Sequence, residues 1–247
     1  MNWSGNTILI TGGSSGIGLA FAERFLKRGN TVIVCGRSEE KLSQAKEKFP
    51  ELHTRVCDVS VESDRVSLLE WVKSSYPEVN ILVNNAGIQQ RFNLLEQTKD
   101  WSYYNQEIKA NFEAPIHLTM LFLNHLAEKE KAGILNVTSG LAFTPMAIAP
   151  IYCATKAALH SFTISLRHQL SKTNIEVFEI APPAVNTDLG GPGLHTFGEP
   201  LDEFADGIFE GLDSNQQEIG YGRSAKAMKM SREEIDQAVE QMNKQFQ

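Results

Sequence analysis

The sequence predicts an α/β protein: a doubly wound parallel sheet of about seven strands flanked by helices. Three observations predict it. Short apolar runs rich in Ile, Val and Leu alternate with longer stretches of helical periodicity. A glycine-rich turn joins the first run to the first helical stretch. The 247 residues, 42% of them hydrophobic, suit one large domain spanning 1–247 with a sizeable core.

The apolar runs are Thr7–Thr11, Thr31–Cys35, Leu52–Cys57, Val79–Asn84, Ile134–Thr138 and Glu176–Ala181, with a weaker one at Gln217–Tyr221. Their near-continuous hydrophobicity fits strands covered on both faces. Between them, Ile17–Arg28 carries Leu19, Ala22, Phe25 and Leu26 at helical spacing and stops at Gly29. Glu39–Lys48 and Ser63–Ser75 end before Pro50 and Pro77, and two longer helices follow over 101–130 and 151–173. A surface helix is expected over Arg232–Phe246. Thr187–Pro200 breaks the pattern with Gly190, Gly191, Pro192, Gly193, Gly198 and Pro200. Long loops in compact domains are usually functional, so 187–200 is read as a lid over a site at the carboxyl edge of the sheet, with a surface excursion as the alternative.

Composition excludes several classes. The formal net charge is −7, with charges interspersed and no basic stripe, so nucleic acid is not an expected partner. No apolar stretch approaches the ~18 residues of a membrane span, and the first strand begins near Thr7, leaving no room for a signal peptide. Cys35, Cys57 and Cys153 are an odd set without metal spacing, which fits a reducing compartment, and the cytoplasm is the expected location. The six histidines show no ligand spacing, so no metal is expected. His160 and His168 read as surface or subunit packing. His195 falls in the lid, within reach of a substrate, with loop packing as the alternative. Phe21, Phe25, Phe112 and Phe122 read as core or interface.

The turn Thr11–Gly18 has the spacing G-x-x-x-G-x-G. Missing Cβ atoms let a pyrophosphate approach the backbone, and the following helix aims free N–H groups at it. Gly12, Ser14, Ser15, Gly16, Ile17 and Gly18 are therefore expected to hold the phosphates of a dinucleotide in a Rossmann-like fold. The second strand ends at Gly36-Arg37, where NAD-selective sites carry an acid. Without that acid, Arg37 can hold a 2′-phosphate through charge-assisted hydrogen bonds, so NADP(H) is the expected cofactor.

Tyr152 and Lys156 stand four residues apart near the start of a long helix and share its face. A cation about 5 Å from a phenol, at an effective dielectric near 20, supplies roughly 3 kcal/mol, or about two pKa units. That moves tyrosine toward acid/base work at neutral pH. Ser139, at the end of the fifth apolar run, can hydrogen-bond a substrate carbonyl. Asn111 lies four residues before Pro115, which lacks an N–H, so the Asn111 carbonyl should be free beside Lys156 to hold a relay water and the helix should kink. Asn111, Ser139, Tyr152 and Lys156 are the expected catalytic residues.

With these residues assembled, the chain resembles the short-chain dehydrogenase/reductase family along nearly its whole length. The resemblance rests on Thr11–Gly18, Asp58, Asn84-Asn85-Ala86-Gly87, Asn111, Ser139 and the Tyr152/Lys156 pair. It implies that Asp58 and Val59 meet the adenine, and that Asn85, Ala86 and Gly87 flank the adenosine ribose. Tyr152 and Lys156 would reach the nicotinamide ribose, and Pro182, Val185 and Thr187 the nicotinamide end. It further implies a homodimer or homotetramer paired through the helices at 101–130 and 151–173. Two positions depart from the family pattern: Pro182-Pro183 replaces Pro-Gly, and Ser15 stands where many NADP-preferring members carry Arg or Lys. Ile151–Leu170 with Ala181–Val185 is similar to the DltE-like branch, which is associated with bacterial D-alanylation gene clusters.

The function expected from the sequence is reversible carbonyl/alcohol interconversion with NADP(H), acting on a small molecule. Leu141, Phe143, Pro145 and Met146 suggest a substrate with hydrophobic bulk. The alternatives are an NADP(H)-binding sensor or scaffold without turnover, and an NAD-linked alcohol dehydrogenase.

Overall fold

Alternate residues of each strand enter opposite layers of core, which a two-residue period dictates for a sheet covered on both sides. Ile8, Ile10, Val32, Val34, Ile81 and Val83 pack into one layer. Leu9, Ile33, Cys35, Leu82 and Ile134 pack into the other. The computed structural model describes residues 1–96 and 98–246. It has one seven-stranded parallel sheet: β1 (Thr7–Thr11), β2 (Thr31–Gly36), β3 (His53–Val56), β4 (Val79–Asn84), β5 (Ala132–Val137), β6 (Ile175–Ala181) and β7 (Glu218–Gly220). The spatial order is β3-β2-β1-β4-β5-β6-β7. The order reverses between β1 and β4, which opens a crevice at their carboxyl ends.

On the first layer lie α1 (Gly16–Lys27) and α2 (Glu39–Lys48), and on the second α3 (Glu62–Ser75). The long helix expected over 101–130 is three pieces: α4 (Trp101–Ile108), a π turn (Lys109–Glu113) and α5 (Ala114–Ala127). Pro115 sits in the first turn of α5, where its missing N–H costs nothing, and the Ala114 N–H reaches back five residues to the Lys109 carbonyl. The expected break at Asn111 thus takes the form of a π turn. α6 (Pro150–Gln169) ends four residues before the expected Thr173.

A helix absent from the sequence reading, α7 (Leu201–Asp213), closes the first layer with Phe204, Ala205, Ile208, Phe209 and Leu212. Gly207 and Gly211 look like breakers in the sequence. In the fold they admit close neighbours: a Cβ on Gly207 would stand 2.5 Å from the Tyr221 ring. Phe204 stacks on Phe21 at 6.1 Å, and Phe209 meets Phe25 at 4.7 Å between centroids. α8 (Arg223–Ala227) and α9 (Arg232–Asn243) complete the chain. The C-terminal helix is the surface helix expected, with no buried residue, and it also edges the cleft. Asn243 accepts the Ala147 N–H at 2.7 Å and donates to the Pro145 carbonyl at 3.1 Å, which brings α9 to the cleft.

Arg65 is the largest fully buried side chain. Its guanidinium donates to the Val59 carbonyl (2.7 Å), the Glu113 carboxylate (2.8 Å) and His117 Nδ1 (2.9 Å). One side chain thereby ties the loop after β3 to the π turn. Among the described residues, no helix is long and apolar enough to cross a membrane.

Phe21 has no solvent exposure and meets both Phe204 and Phe209. Phe21→Ala should cost about 3–5 kcal/mol of stability, read as a fall in denaturant midpoint at unchanged slope; a loss below 1 kcal/mol would mean that α7 is not docked as described.

Candidate active site

The crevice between β1 and β4 opens into a cleft of about 1830 Å³. Every cofactor-binding residue expected from the sequence lines it, as do Ser139, Tyr152 and Lys156. Asn111 is the exception, buried behind the wall.

At the glycine turn the backbone leaves β1 with Gly12 at φ +65° and enters α1 with Gly16 at φ +53°. Gly18 serves close approach: a Cβ there would stand 2.5 Å from both the Gly12 carbonyl and Asn85 Nδ2. Asn85 donates to the Thr11 and Gly12 carbonyls, while Thr11 Oγ1 accepts the N–H groups of Asn85 and Ala86. The ends of β1 and β4 are thereby locked together. Ser15, the residue before α1, makes no side-chain cap, and no acidic residue stands in the first turn. An uncapped helix start facing a cleft is suited to phosphate. These residues fit a dinucleotide.

At the adenosine end, Arg37, Ser38 and Lys41 line the cleft beside Gly36, and Arg37 has no carboxylate partner among the described residues. Lys41 was not singled out from the sequence; its backbone N–H bonds Ser38 Oγ at the start of α2. Asp58 accepts from the Ser60 N–H and hydroxyl, which fixes the turn after β3. Cys35 and Cys57, distant in sequence, are brought together as free thiols.

At the other end Tyr152 and Lys156 occupy one face of α6, with side chains 5% and 4% exposed. The Lys156 ammonium donates to the Val137 carbonyl at 2.8 Å and lies 5.8 Å from the centre of the Tyr152 ring. Ser139 caps a 3₁₀ turn (Gly140–Ala142) by accepting the Leu141 N–H, and its hydroxyl neighbours the phenol. Asn111 holds both the N–H and the carbonyl of Ile88 through its side chain (each 2.8 Å) and donates to Thr155 Oγ1 at 3.3 Å. Beside the expected role of its carbonyl, Asn111 has a second one: its side chain clamps the segment after β4 to α6. The expected acidification of the phenol by Lys156 is corrected. Burial raises the Tyr152 phenol above its ordinary value, the Ser139 hydroxyl partly opposing. Burial likewise depresses Lys156 to about 8. At neutral pH the phenol is a proton donor in waiting.

The short chain dehydrogenase family profile matches residues 6–194. The chain belongs to the short-chain dehydrogenase family. It is an oxidoreductase of that family, 47% identical over 99% of both chains to the uncharacterized oxidoreductase DltE of Bacillus subtilis (strain 168). A short-chain dehydrogenase from Sphingobium yanoikuyae in complex with NADPH superposes with a TM-score of 0.80 at 26% identity, covering 87% of each chain. A short chain dehydrogenase/reductase from Burkholderia phymatum in complex with NAD shares the fold with a TM-score of 0.84 at 21% identity, covering 96% of each chain.

Two buried acids of this dehydrogenase escaped the sequence reading. Glu179, on β6, accepts from His160 Nδ1 (2.8 Å) and from Thr138 Oγ1 (2.7 Å), directly behind Ser139. His160, partly exposed as a surface position, is also a buttress with a raised pKa, caused first by its bond to Glu179. Glu107 lies one helical turn before Asn111, without solvent exposure. One of its oxygens accepts the Gln90 N–H at 2.9 Å, and the other has no partner. Burial raises this carboxyl to about 7, the Gln90 N–H and the Lys156 ammonium opposing. The i,i+4 spacing to Asn111 was the available signal.

At the substrate end, Leu141 and Met146 line the cleft as expected, but Phe143 packs on His160 at 4.6 Å and Pro145 serves Asn243 through its carbonyl. Ala238, Gln241 and Met242 of α9 join the wall instead. At the Pro182-Pro183 turn, the Pro182 carbonyl accepts the Gly140 N–H at 2.8 Å, so the turn braces the Ser139 loop. The 187–200 loop closes on itself, with Asn186 N–H to the Glu199 carbonyl (2.9 Å) and Glu199 N–H to the Ala184 carbonyl (2.8 Å).

Between pH 4.5 and about 7 the folded chain keeps a Glu107 proton that an unfolded chain has lost. Stability therefore falls as pH rises through that window. Glu107→Gln should match the wild type near pH 5 and exceed it by about 1–3 kcal/mol near pH 8, measured by chemical denaturation at both pH values. An identical stability difference at the two would mean the carboxyl titrates normally.

Proposed function

We propose that this protein interconverts a carbonyl and a secondary alcohol with NADP(H), using Tyr152 as the acid/base. The observation that carries the reading is the burial of Tyr152, Lys156 and Ser139 together on the wall of a cleft whose far end offers an uncapped helix start and an unpaired Arg37. When bound, the nicotinamide supplies or accepts the hydride.

In reduction, Tyr152 donates its phenolic proton to the carbonyl oxygen, and Ser139 orients that oxygen by hydrogen bonding. The phenol arrives at the reaction protonated, and its burial must be offset by nearby positive charge before the proton leaves. Lys156 makes the resulting phenolate tolerable by its charge and returns a proton. Asn111 keeps the route beside Lys156 in shape by clamping Ile88 and contacting Thr155, which itself bonds the Tyr152 carbonyl at 2.8 Å. Gly87 allows this packing, since a Cβ there would stand 3.2 Å from Asn111 Oδ1 and 3.6 Å from Lys156 Nζ. Gly12, Ser14, Ser15, Gly16, Ile17 and Gly18 cradle the phosphates. Asp58, Val59, Asn85 and Ala86 hold the adenosine, and Pro182, Val185 and Thr187 the nicotinamide end. The 187–200 loop serves as the lid. Exposed Trp101 and Met120 on the 101–130 helices support pairing of two copies there.

Tyr152→Phe should lower NADPH-dependent turnover on a ketone and aldehyde panel by at least about 10²-fold while keeping NADPH fluorescence binding. Tight NADPH binding by the wild type with no turnover on any carbonyl would favour a sensor instead.

Arg37 carries the choice between the two dinucleotides. Arg37→Gln should weaken NADPH binding by about 10–100-fold, the worth of a charged hydrogen-bond pair, and change NADH binding far less. Wild-type protein that binds NADH as tightly as NADPH would replace the NADP assignment.

A further inference from the structure

The cleft has a charge opposite to that of the molecule. The chain carries a formal −7, yet seven of the side chains lining the cleft are Lys or Arg and only Asp58 and Asp188 are carboxylates. Arg37 and Lys41 answer to the adenosine end, and Lys156 belongs to the catalytic wall. Arg91 has no such duty in the reading above.

Arg91 is held out by its neighbours. Gln90 is pinned on one side by its N–H to Glu107 (2.9 Å) and its amide to the Tyr103 carbonyl (2.9 Å). Phe92 is pinned on the other by its N–H to the Ile148 carbonyl at 3.0 Å. The guanidinium uses only Nη2 in the bonds described, donating to His195 Nε2 at 3.2 Å and, marginally, to Gln89 Oε1 at 3.5 Å. No carboxylate among the described residues pairs with it. Arg91 is exposed at the cleft, and a guanidinium has five N–H donors, so most of them face solvent where a ligand can take them.

His195 meets it from the lid loop, although 104 residues separate them. Its ring is 6% exposed and lines the same cleft as Tyr152 and Ser139. Because Nε2 accepts from Arg91, the neutral ring carries its proton on Nδ1. That nitrogen is buried and has no partner of hydrogen-bond geometry, although the Leu189 carbonyl is near. An unpaired guanidinium in the cleft, set against a lid imidazole whose Nε2 would become a donor on protonation, is an incomplete anion site.

We propose that Arg91 and His195 recognise an anionic group on the substrate, a carboxylate or a phosphate, while Tyr152 and Ser139 address its carbonyl. This inference rests on the oxidoreductase reading for the carbonyl half, and on its own contacts for the anionic half. The anion takes the guanidinium donors and, once His195 Nε2 is protonated, an N–H of the imidazole, so lid and floor close on the substrate's charged end. Burial and the adjacent Arg91 keep the empty imidazole neutral. An anion between them reverses that balance and draws a proton onto the ring.

The test uses the NADPH-saturated protein, so that the phosphate sites of the cofactor are filled. The His195 ring signal, assigned with His195→Gln, is titrated by NMR with propionate, inorganic phosphate and the neutral control propionamide. Propionate or phosphate should raise the pH at which His195 titrates, propionamide should not, and the anion that acts names the class. Arg91→Met should weaken that response at least tenfold, with Arg91→Lys between it and the wild type. Turnover then compares 4-oxopentanoate with its methyl ester, and dihydroxyacetone phosphate with dihydroxyacetone. One anionic member should be favoured at least tenfold in kcat/KM, and Arg91→Met should bring that ratio toward one. A His195 signal that ignores both anions overturns the proposal. So does an Arg91→Met variant that slows charged and neutral probes equally, because the pair is then only a latch. A His195 response without turnover of any probe would count against the carbonyl/alcohol reading and leave the anion site standing.

Discussion

The desolvation of one ammonium governs the site. Lys156 is buried among groups that cannot match bulk water: a single carbonyl at 2.8 Å from β5, the Tyr152 ring 5.8 Å away, and the Glu107 carboxyl nearby. Such a cation is costly to keep charged, and its pKa of about 8 expresses that cost. Much of the surrounding architecture serves to hold it there regardless. The chain Asn84 to Asn136 to Thr163 runs buried from β4 through β5 into α6, with amide and hydroxyl bonds of 2.9 Å. It fixes α6, and with it the Tyr152 and Lys156 face, at one depth against the sheet. Holding an ammonium at this depth gives up stability, as perturbed groups in clefts commonly do.

The scaffold was legible because it rests on local signals. The two-residue period of Ile8, Leu9 and Ile10 and the glycines of Thr11–Gly18 each dictate one conformation regardless of the rest of the chain. Asn111, Ser139, Tyr152 and Lys156 were legible through order and spacing, and all four converge on one region. What escaped depends on distant partners. Gly207 and Gly211 disguise α7 because their reason lies across the fold, in Tyr221 and Ile219. Glu107 reads as one more polar helix residue until the Gln90 segment covers it. The direction of the Tyr152 shift was misjudged because pairwise attraction can be estimated from spacing, whereas burial cannot.

Charge is distributed with a division of labour. The outer surface carries the acidic excess, and the cleft gathers cations from α2, the segment after β4, α6 and α8. Low-dielectric walls focus such a field, so a small anion experiences a basic protein inside an acidic one. The π turn adds to this by geometry. It lets Asn111 grip Ile88 while Glu107, one turn earlier, grips Gln90, so one irregular helix sets the path of the chain from Gly87 to Arg91.

The neck of the 187–200 loop carries a different consequence. The chain enters at Ala184–Asn186 and leaves at Glu199 through the same pair of backbone bonds, so whatever lies between is topologically an appendix. Doubling the length of such a closed loop costs only about 0.6 kcal/mol in entropy. Insertions and deletions there can be sampled cheaply, as in an interchangeable cassette, without moving the helix that holds the tyrosine. The loop and the α6 helix can therefore diverge at separate rates in this scaffold.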